Sequence, residues 1–161
     1  MSDASVLCIA CSIFRREVEL LNRLAPWPMD FQWCDSSLHL DPQRLQQELD
    51  DAIAKAADRK VLLLYGDCHA YMLDIERRPG VARVQGMNCC EIYLGRGEYR
   101  RLRSEGAFFV LPEWAARWRE ILPSALQLKD TDAKTLMQEA QQYLLYLDTG
   151  LDPVPTDLLL E

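Results

Sequence analysis

Short strand-like runs alternate with helical patterns along most of this chain. Two of these runs, Val6–Ala10 and Lys60–Tyr65, are continuously apolar, as is typical of strands covered on both faces. Between them, Asp41 followed by Pro42 marks the start of a helix, and apolar residues recur at helical spacing as far as about Ala57. Strands separated by helices in this way favour right-handed crossover connections and a mostly parallel sheet.

The same patterns, together with Pro and Gly breakers, give the remaining segment boundaries. The predicted strands are Val6–Ala10, Phe31–Cys34, Lys60–Tyr65, Val81–Gln85 and Ala107–Leu111. The predicted helices are Ile13–Leu24, Pro42–Ala57, Ala70–Arg77, Cys90–Leu102, Glu113–Leu122 and Asp132–Leu147. We therefore expect an α/β fold, a single-domain three-layer sandwich with a mostly parallel sheet of about five strands and helices on both faces.

Composition limits the function classes. A chain of 161 residues that is 49% hydrophobic is large enough for one stable core, so we expect a single α/β domain over 1–147 and a C-terminal tail over 148–161. The net charge of -7 argues against a nucleic-acid partner. No run approaches the roughly 18 apolar residues of a membrane span, and the first residues lack a leader pattern, which predicts a cytoplasmic protein without a membrane partner.

Three of the six cysteines follow predicted strands. Cys11 comes after the first strand, Cys68 after the strand that ends at Tyr65, and Cys89 after the fourth strand. Because ligands bind outside the carboxyl ends of the strands in open α/β sheets, these thiols predict a metal or thiol site at that edge. The first strand leads into Cys11 and not into a glycine-rich turn, which excludes a dinucleotide or P-loop site.

Two of the other cysteines are predicted to have a structural role. Cys8 and Cys34 fall inside apolar strands, and we expect both to be core residues. Cys90 follows Cys89 directly and is expected to point away from the site. Without a secretory signal, six cysteines indicate reduced thiols or ligands more than a disulfide framework.

Several strings in the chain resemble one known family. They are Ala10–Glu17, Asp35–His39, Tyr65–Cys68, and Cys89 ahead of Leu94-Gly95. Over about residues 6 to 120 the chain is similar to the DUF1638 family, a family of domains of unknown function. The resemblance implies functional roles for Cys11, His39, Cys68 and Cys89, and a context of corrinoid-dependent methyl-transfer systems in anaerobes. The chain departs from the family pattern just before Cys89, where Met87-Asn88 stands in place of histidine-aspartate.

Three thiolates and one imidazole form a tetrahedral ligand set for zinc, with iron as the alternative metal. The fourth ligand is expected to be His39 on the basis of the resemblance, with His69 as its competitor because it adjoins Cys68. Arg15 and Tyr71 are the candidate cofactor-binding residues, since a guanidinium binds anions and a phenol orients ligands or moves protons.

Three functions fit these residues. The first is a metal-binding protein that acts as a metal-dependent enzyme of one-carbon or methyl-transfer metabolism on a small-molecule substrate. The second is a non-catalytic carrier of a metal or corrinoid, which would accompany a corrinoid or methyltransferase protein. The third is a thiol-redox protein in which two clustered cysteines form a reversible disulfide.

Overall fold

A computed structural model of the protein describes residues 6–26, 29–121 and 142–159. The chain divides into two compact units, Met1–Ile92 and Tyr93–Glu161. The assignment of 1–147 to one domain stays a prediction. In the described part of the chain, no helix is both long enough and apolar enough to cross a membrane.

The first unit contains a fully parallel four-stranded sheet. Its strands are β1 (Leu7–Cys11), β2 (Asp30–Cys34), β3 (Val61–Leu64) and β4 (Val81–Arg83). The spatial order is β2-β1-β3-β4, and β1 pairs with β2 from Leu7 opposite Asp30 to Cys11 opposite Cys34. The predicted α/β class and parallel sheet are confirmed. The main sheet has four strands in place of the expected five.

The helices of the first unit follow the strands. They are α1 (Arg15–Leu24), α2 (Pro42–Lys55), α3 (Met72–Glu76) and α4 (Cys89–Leu94), the last of which crosses the boundary between the units. Short 3-10 helices, Ser12–Phe14 and Ser36–Leu40, follow β1 and β2. Helix α2 begins as predicted, because the Asp41 side chain accepts a hydrogen bond from the Arg44 N–H and Pro42 occupies the first turn.

One face of the sheet carries the core of the first unit. Alternate residues of β1 and β3 are buried against α2 and α3, whose inward side chains complete the cluster. The members are Leu7, Ile9, Cys34, Leu38, Leu45, Leu49, Ala52, Ala56, Val61, Leu63, Tyr65, Met72 and Ile75. Cys11 and Cys68 pack against this cluster as partly buried residues, so the core extends to the predicted site.

The second unit contains α5 (Arg96–Ser104), β5 (Ala107–Val110), α6 (Pro112–Ala116), β6 (Tyr143–Tyr146) and α7 (Thr156–Leu159). Strand β5 pairs in parallel with β6, so the predicted fifth strand exists but belongs to a separate two-stranded sheet. The predicted helix over Cys90–Leu102 is wrong in the middle, because Gly95 has a φ of 75° and separates α4 from α5.

The predicted helix Asp132–Leu147 is wrong at its C-terminal end. Tyr143–Tyr146 is a strand there, since a short run of aromatic and leucine residues suits a strand as well as a helix and pairing with β5 decides between them. The remainder of that segment, 122–141, lies outside the described residues. The predicted tail over 148–161 contains the short helix α7.

Candidate thiol site at the carboxyl edge of the sheet

Three side chains form a row across the carboxyl ends of β2, β1 and β3. Cys11 is the register partner of Cys34 on one side. On the other side Ala10 pairs with Leu64, which brings Tyr65 next to Cys11 at the end of the sheet. Because register partners on parallel strands share a face, Cys34, Cys11 and Tyr65 lie on the core face, in agreement with their common place in the core cluster.

The Tyr65 side chain lies near the thiols of three cysteines. The residue is 3% exposed, and its hydroxyl has no hydrogen bond of ordinary geometry within the described residues, although the Cys34 thiol interacts with it. Burial raises the pKa of Tyr65, and the nearby thiols of Cys11, Cys34 and Cys68 raise it further. The hydroxyl therefore lies close to three of the six cysteines.

Cys68 lies at the end of the turn that follows Tyr65. Its thiol is partly buried, and burial raises its pKa to about 11, with a further contribution from the thiol of Cys89. The thiols of Cys68 and Cys89 therefore interact electrostatically. The structure thus brings together two of the cysteines that the sequence places 21 positions apart.

A close backbone contact holds the Cys68 turn against the Cys89 loop. A Cβ atom at Gly66 would lie 2.4 Å from the Cα of Asn88, which is far inside van der Waals contact. The Asp67 N–H also donates a 2.7 Å hydrogen bond to the Met87 carbonyl. Gly66 is therefore required so that the two loops can approach.

Asn88 and Glu91 form the start of α4. The Asn88 side chain accepts a 2.9 Å hydrogen bond from the Glu91 N–H, and the buried Glu91 carboxylate accepts from the Met87 N–H at 3.3 Å. Asn88 is therefore the N-cap of α4, and Glu91 bonds the N–H of the residue before the cap, one position earlier than in a capping box. Asn caps a helix as well as Asp does, so the departure at Asn88 from the family pattern retains the cap.

Cys89 and Cys90 occupy the first turn of α4. Their side chains hydrogen-bond each other, which raises the pKa of Cys89 and holds the pKa of Cys90 below its usual range. Burial adds to the rise at Cys89. Cys90 is buried and its side chain hydrogen-bonds that of Cys89, while the expectation that Cys90 points away from the site stays a prediction.

A buried arginine supports the Cys68 turn. The Arg83 side chain is 8% exposed and forms ion pairs with Glu76 at 2.6 Å and with Asp67 at 2.8 Å. It also donates a 3.4 Å hydrogen bond to the Tyr65 carbonyl. The positive charge partly offsets the rise in the pKa of Cys68.

The two histidines have different surroundings. His39 lies in the 3-10 helix after β2, its Nδ1 hydrogen-bonds the Ser36 carbonyl, and the Ser36 N–H donates a 2.9 Å bond to the Ser12 hydroxyl, next to Cys11. His69 is buried, and its Nδ1 accepts a 3.0 Å bond from the Tyr71 N–H.

Among the residues that the structure describes, no three His, Cys, Asp or Glu side chains are arranged to hold a metal ion. The ligand set of Cys11, His39, Cys68 and Cys89 therefore stays a prediction. Binding of an ion by these residues requires their side chains to rotate toward one another.

The candidate cofactor-binding residues lie at the periphery. Arg15 forms a 2.8 Å ion pair with Glu19, and its guanidinium lies 5.7 Å from the centre of the Trp33 ring. Tyr71 is 60% exposed and contacts the ring of His69. Both residues are accessible to a ligand, and their cofactor roles stay predictions.

Sequence reasoning missed two residues of this site, Cys34 and Tyr65. Cys34 is buried, as predicted, but it also ends its strand as Cys11 does. The rule that points to Cys11 therefore also applies to Cys34. No signal in the sequence marks the hydroxyl of Tyr65, because its closeness to the cysteines depends on which strands are neighbours in the sheet.

A comparison with known families finds one match. The family model described as "Protein of unknown function (DUF1638)" matches residues 33–157. The match includes His39, Cys68 and Cys89 and begins after Cys11, whereas the resemblance was expected over about residues 6 to 120. No curated protein and no solved structure matches the chain.

Proposed function

The chain belongs to the DUF1638 family of proteins of unknown function, and we propose that it binds one borderline or soft metal ion at its carboxyl-edge thiols. Zinc is the first choice and iron the alternative, because thiolates are preferred ligands of both. The proposed ligands are Cys11, Cys68 and Cys89, with His39 as the expected fourth donor. The observation that supports the proposal most is the close contact between Gly66 and Asn88, which holds the loops of Cys68 and Cys89 together.

The charge balance of the site supports this proposal. A buried thiolate at Cys68 is disfavoured both by burial and by a neighbouring thiolate at Cys89. A divalent cation relieves both effects, since it supplies the opposite charge and holds the sulfurs in the deprotonated form. The ion must displace the thiol protons, so its apparent affinity should rise with pH.

The hydrogen bond of His39 is compatible with a ligand role. Metal-binding histidines commonly donate one ring N–H to a backbone carbonyl, which fixes the tautomer and directs the other nitrogen toward the metal. The Nδ1 of His39 is paired with the Ser36 carbonyl in this manner, which makes Nε2 the nitrogen with the lone pair.

The second part of the proposal concerns the reaction that the bound ion would assist. An ion in such a site lowers the pKa of a bound thiol or water. We propose methyl transfer involving a small-molecule thiol: the thiol would release its proton to solvent, and its sulfur would form a bond to the methyl group of a methylated corrinoid protein as the bond between methyl and corrinoid breaks and leaves its electron pair on the corrinoid. A carrier would bind the same ion or corrinoid and pass it on without such a reaction.

Thiol redox chemistry is the second candidate function. Cys11 and Cys34 are register partners, and the thiols of Cys89 and Cys90 hydrogen-bond each other, so two pairs of sulfurs are already adjacent. Either pair would form a disulfide by exchange with an oxidised small-molecule disulfide, which would be reduced to two thiols.

The test is metal content of protein purified without oxygen and after loading with Zn²⁺. The variants Cys11→Ser, Cys68→Ser and Cys89→Ser are compared with Cys8→Ser. Cys8 is a matched control, because it lies on β1 but on the opposite face from Cys11. We expect about one zinc per chain in the wild type and in Cys8→Ser, and a loss in the other three. Absence of zinc from the wild type, or equal content in all variants, would refute the proposal.

Disulfide mapping of the same samples separates the two functions. A metal protein keeps its thiols reduced and loses zinc reversibly to a chelator. A redox protein shows a specific intramolecular disulfide after mild oxidation, and this disulfide forms equally well after the metal has been removed.

A further inference from the structure

We infer that Cys11 and Cys34 form a reversible disulfide across two neighbouring strands, in which Cys11 reacts first with a low-molecular-weight disulfide and Cys34 then displaces the small thiol. The inference deepens the second candidate function above, thiol redox chemistry, and rests on it, because it names the pair of cysteines and the class of co-reactant. It requires no bound metal ion.

The sheet holds these two cysteines at a separation that suits a disulfide. Cys11 and Cys34 are register partners at the carboxyl ends of β1 and β2. Neighbouring strands lie about 4.8 Å apart, and disulfides span Cα separations of roughly 4.4–6.8 Å. Cys34 belongs to the core cluster and Cys11 packs against it, so both side chains extend from the same face of the sheet. A bond between the two sulfurs therefore requires side-chain rotation and no change of strand register.

The adjacent pair Cys89 and Cys90 is less suited to a disulfide. Both residues lie in the first turn of α4. Consecutive Cα atoms across a trans peptide are only about 3.8 Å apart, which is below the range that disulfides span. A bond between these sulfurs would distort the helical turn that Asn88 caps through its hydrogen bond from the Glu91 N–H. The pair at the strand ends needs no such distortion.

The exposure of the two thiols gives them different roles. Cys11 is partly exposed, whereas Cys34 is 5% exposed, so a dissolved disulfide reaches Cys11 first. The Cys11 thiolate attacks one sulfur of the small disulfide, whose S–S bond breaks and leaves its electron pair on a small thiolate. The Cys34 thiolate then attacks the Cys11 sulfur and releases the second small thiolate. The protein has lost two protons and two electrons, and the small disulfide has become two thiols.

Tyr65 is a positioning residue for the second step. Its buried side chain follows β3 directly, and its hydroxyl is hydrogen-bonded with the Cys34 thiol and lies near Cys11. Burial raises the pKa of Cys34, and this hydrogen bond opposes the rise. A hydroxyl that donates to the sulfur stabilises the thiolate, which is the form that attacks a disulfide.

The test is peptide mass mapping of the wild-type protein, reduced and freed of metal, during reaction with hydroxyethyl disulfide. We expect a transient adduct at Cys11, followed by a Cys11–Cys34 disulfide that dithiothreitol reverses. A disulfide between any other two cysteines would overturn the inference and leave thiol redox chemistry as a function. Absence of any disulfide would overturn both. The zinc content of separate samples decides the metal-binding proposal independently of this result.

Variants test the order of the two steps. Cys34→Ser should retain the adduct at Cys11, Cys11→Ser should leave Cys34 unmodified over the same period, and Cys8→Ser should react as the wild type does. Modification of Cys34 in Cys11→Ser would show that the assigned order is wrong.

The role of Tyr65 has its own kinetic signature. Tyr65→Phe should slow the loss of the adduct about three- to tenfold and change the rate of its formation less than about twofold. An equal change in both rates would mean that Tyr65 acts only through the structure and would overturn its positioning role.

Discussion

Replacement of Gly66 by Ala should both destabilise the protein and separate two of the proposed ligands. The added Cβ atom would lie 2.4 Å from the Asn88 Cα and 2.8 Å from the Met87 carbonyl oxygen. Ordinary carbon contacts are about 3.5–4.0 Å, so one loop must move by about 1 Å. That movement breaks the 2.7 Å hydrogen bond from Asp67 to Met87.

The expected cost follows from these two effects. Overpacking of a tight contact costs about 1–3 kcal/mol, and loss of one backbone hydrogen bond about 1 kcal/mol. We therefore expect Gly66→Ala to lower the free energy of unfolding by about 2–4 kcal/mol. Gly66 does not have the positive φ that favours glycine, so the loss would come from the contact and not from backbone strain.

Gly80→Ala is the matched control in the same unit. Gly80 has a φ of 77°, and the described residues leave open space within 4 Å of its Cβ position. Its replacement should cost about 1–2 kcal/mol through backbone strain alone. Denaturant unfolding measures both variants, and zinc affinity is measured under native conditions.

The two variants should differ most in metal binding. Gly66→Ala should weaken zinc binding at least tenfold because the Cys68 turn and the Cys89 loop no longer meet, whereas Gly80→Ala should bind zinc as the wild type does. If Gly66→Ala is as stable as the wild type, the contact is not what holds the loops together. If both variants lose zinc equally, the link between the contact and the site is refuted.

Three further predictions concern stability. Burial raises the pKa of Cys8 and of Cys68 from 9.0 to about 11, so the folded state holds these protons more tightly than the unfolded state does. This contribution to the free energy of unfolding is complete below pH 9 and is lost between pH 9 and pH 11, by about 1.4 kcal/mol per pH unit for each thiol. Denaturant unfolding between pH 8 and pH 11 measures this loss. A free energy of unfolding that does not change over this range would contradict the prediction. Arg83→Leu should lower the free energy of unfolding by about 2–3 kcal/mol, which is less than the loss of a fully buried ion pair because both carboxylate partners keep contact with water. Arg101→Ala is the control: it removes exposed ion pairs and should change the free energy of unfolding by less than about 0.5 kcal/mol. Asp41→Ala should cost about 1 kcal/mol through loss of the N-cap of α2, and Asp41→Asn should restore most of it in thermal unfolding.

Local patterns were sufficient to predict most of the main sheet. β1 and β3 are continuously apolar, and α2 has a cap and a regular apolar stripe, so each is specified by its own residues. The separate pairing of β5 with β6 was not predictable in this way. Whether a short apolar run such as Tyr143–Tyr146 forms a strand depends on a distant partner, and its own periodicity does not decide between strand and helix.

The candidate site was predictable only where it depends on local sequence patterns. Cys11 and Cys68 were found because they follow strands that are clear in the sequence. The position of Cys34 opposite Cys11 depends on the register between β1 and β2, which the sequence does not encode locally. The Gly66 contact is a further case, because the sequence shows a glycine in a turn but not the loop that packs against it.

Counting the protons released when zinc binds tests the central claim most directly. Titration calorimetry at pH 7 in buffers of different ionisation enthalpy gives this number. Thiols with raised pKa values, as at Cys68 and Cys89, are protonated at pH 7, so a site built from the cysteines should release about three or four protons per zinc. Release of fewer than about one proton would mean that histidines or carboxylates bind the ion, and would contradict a thiolate site at the carboxyl edge of this sheet.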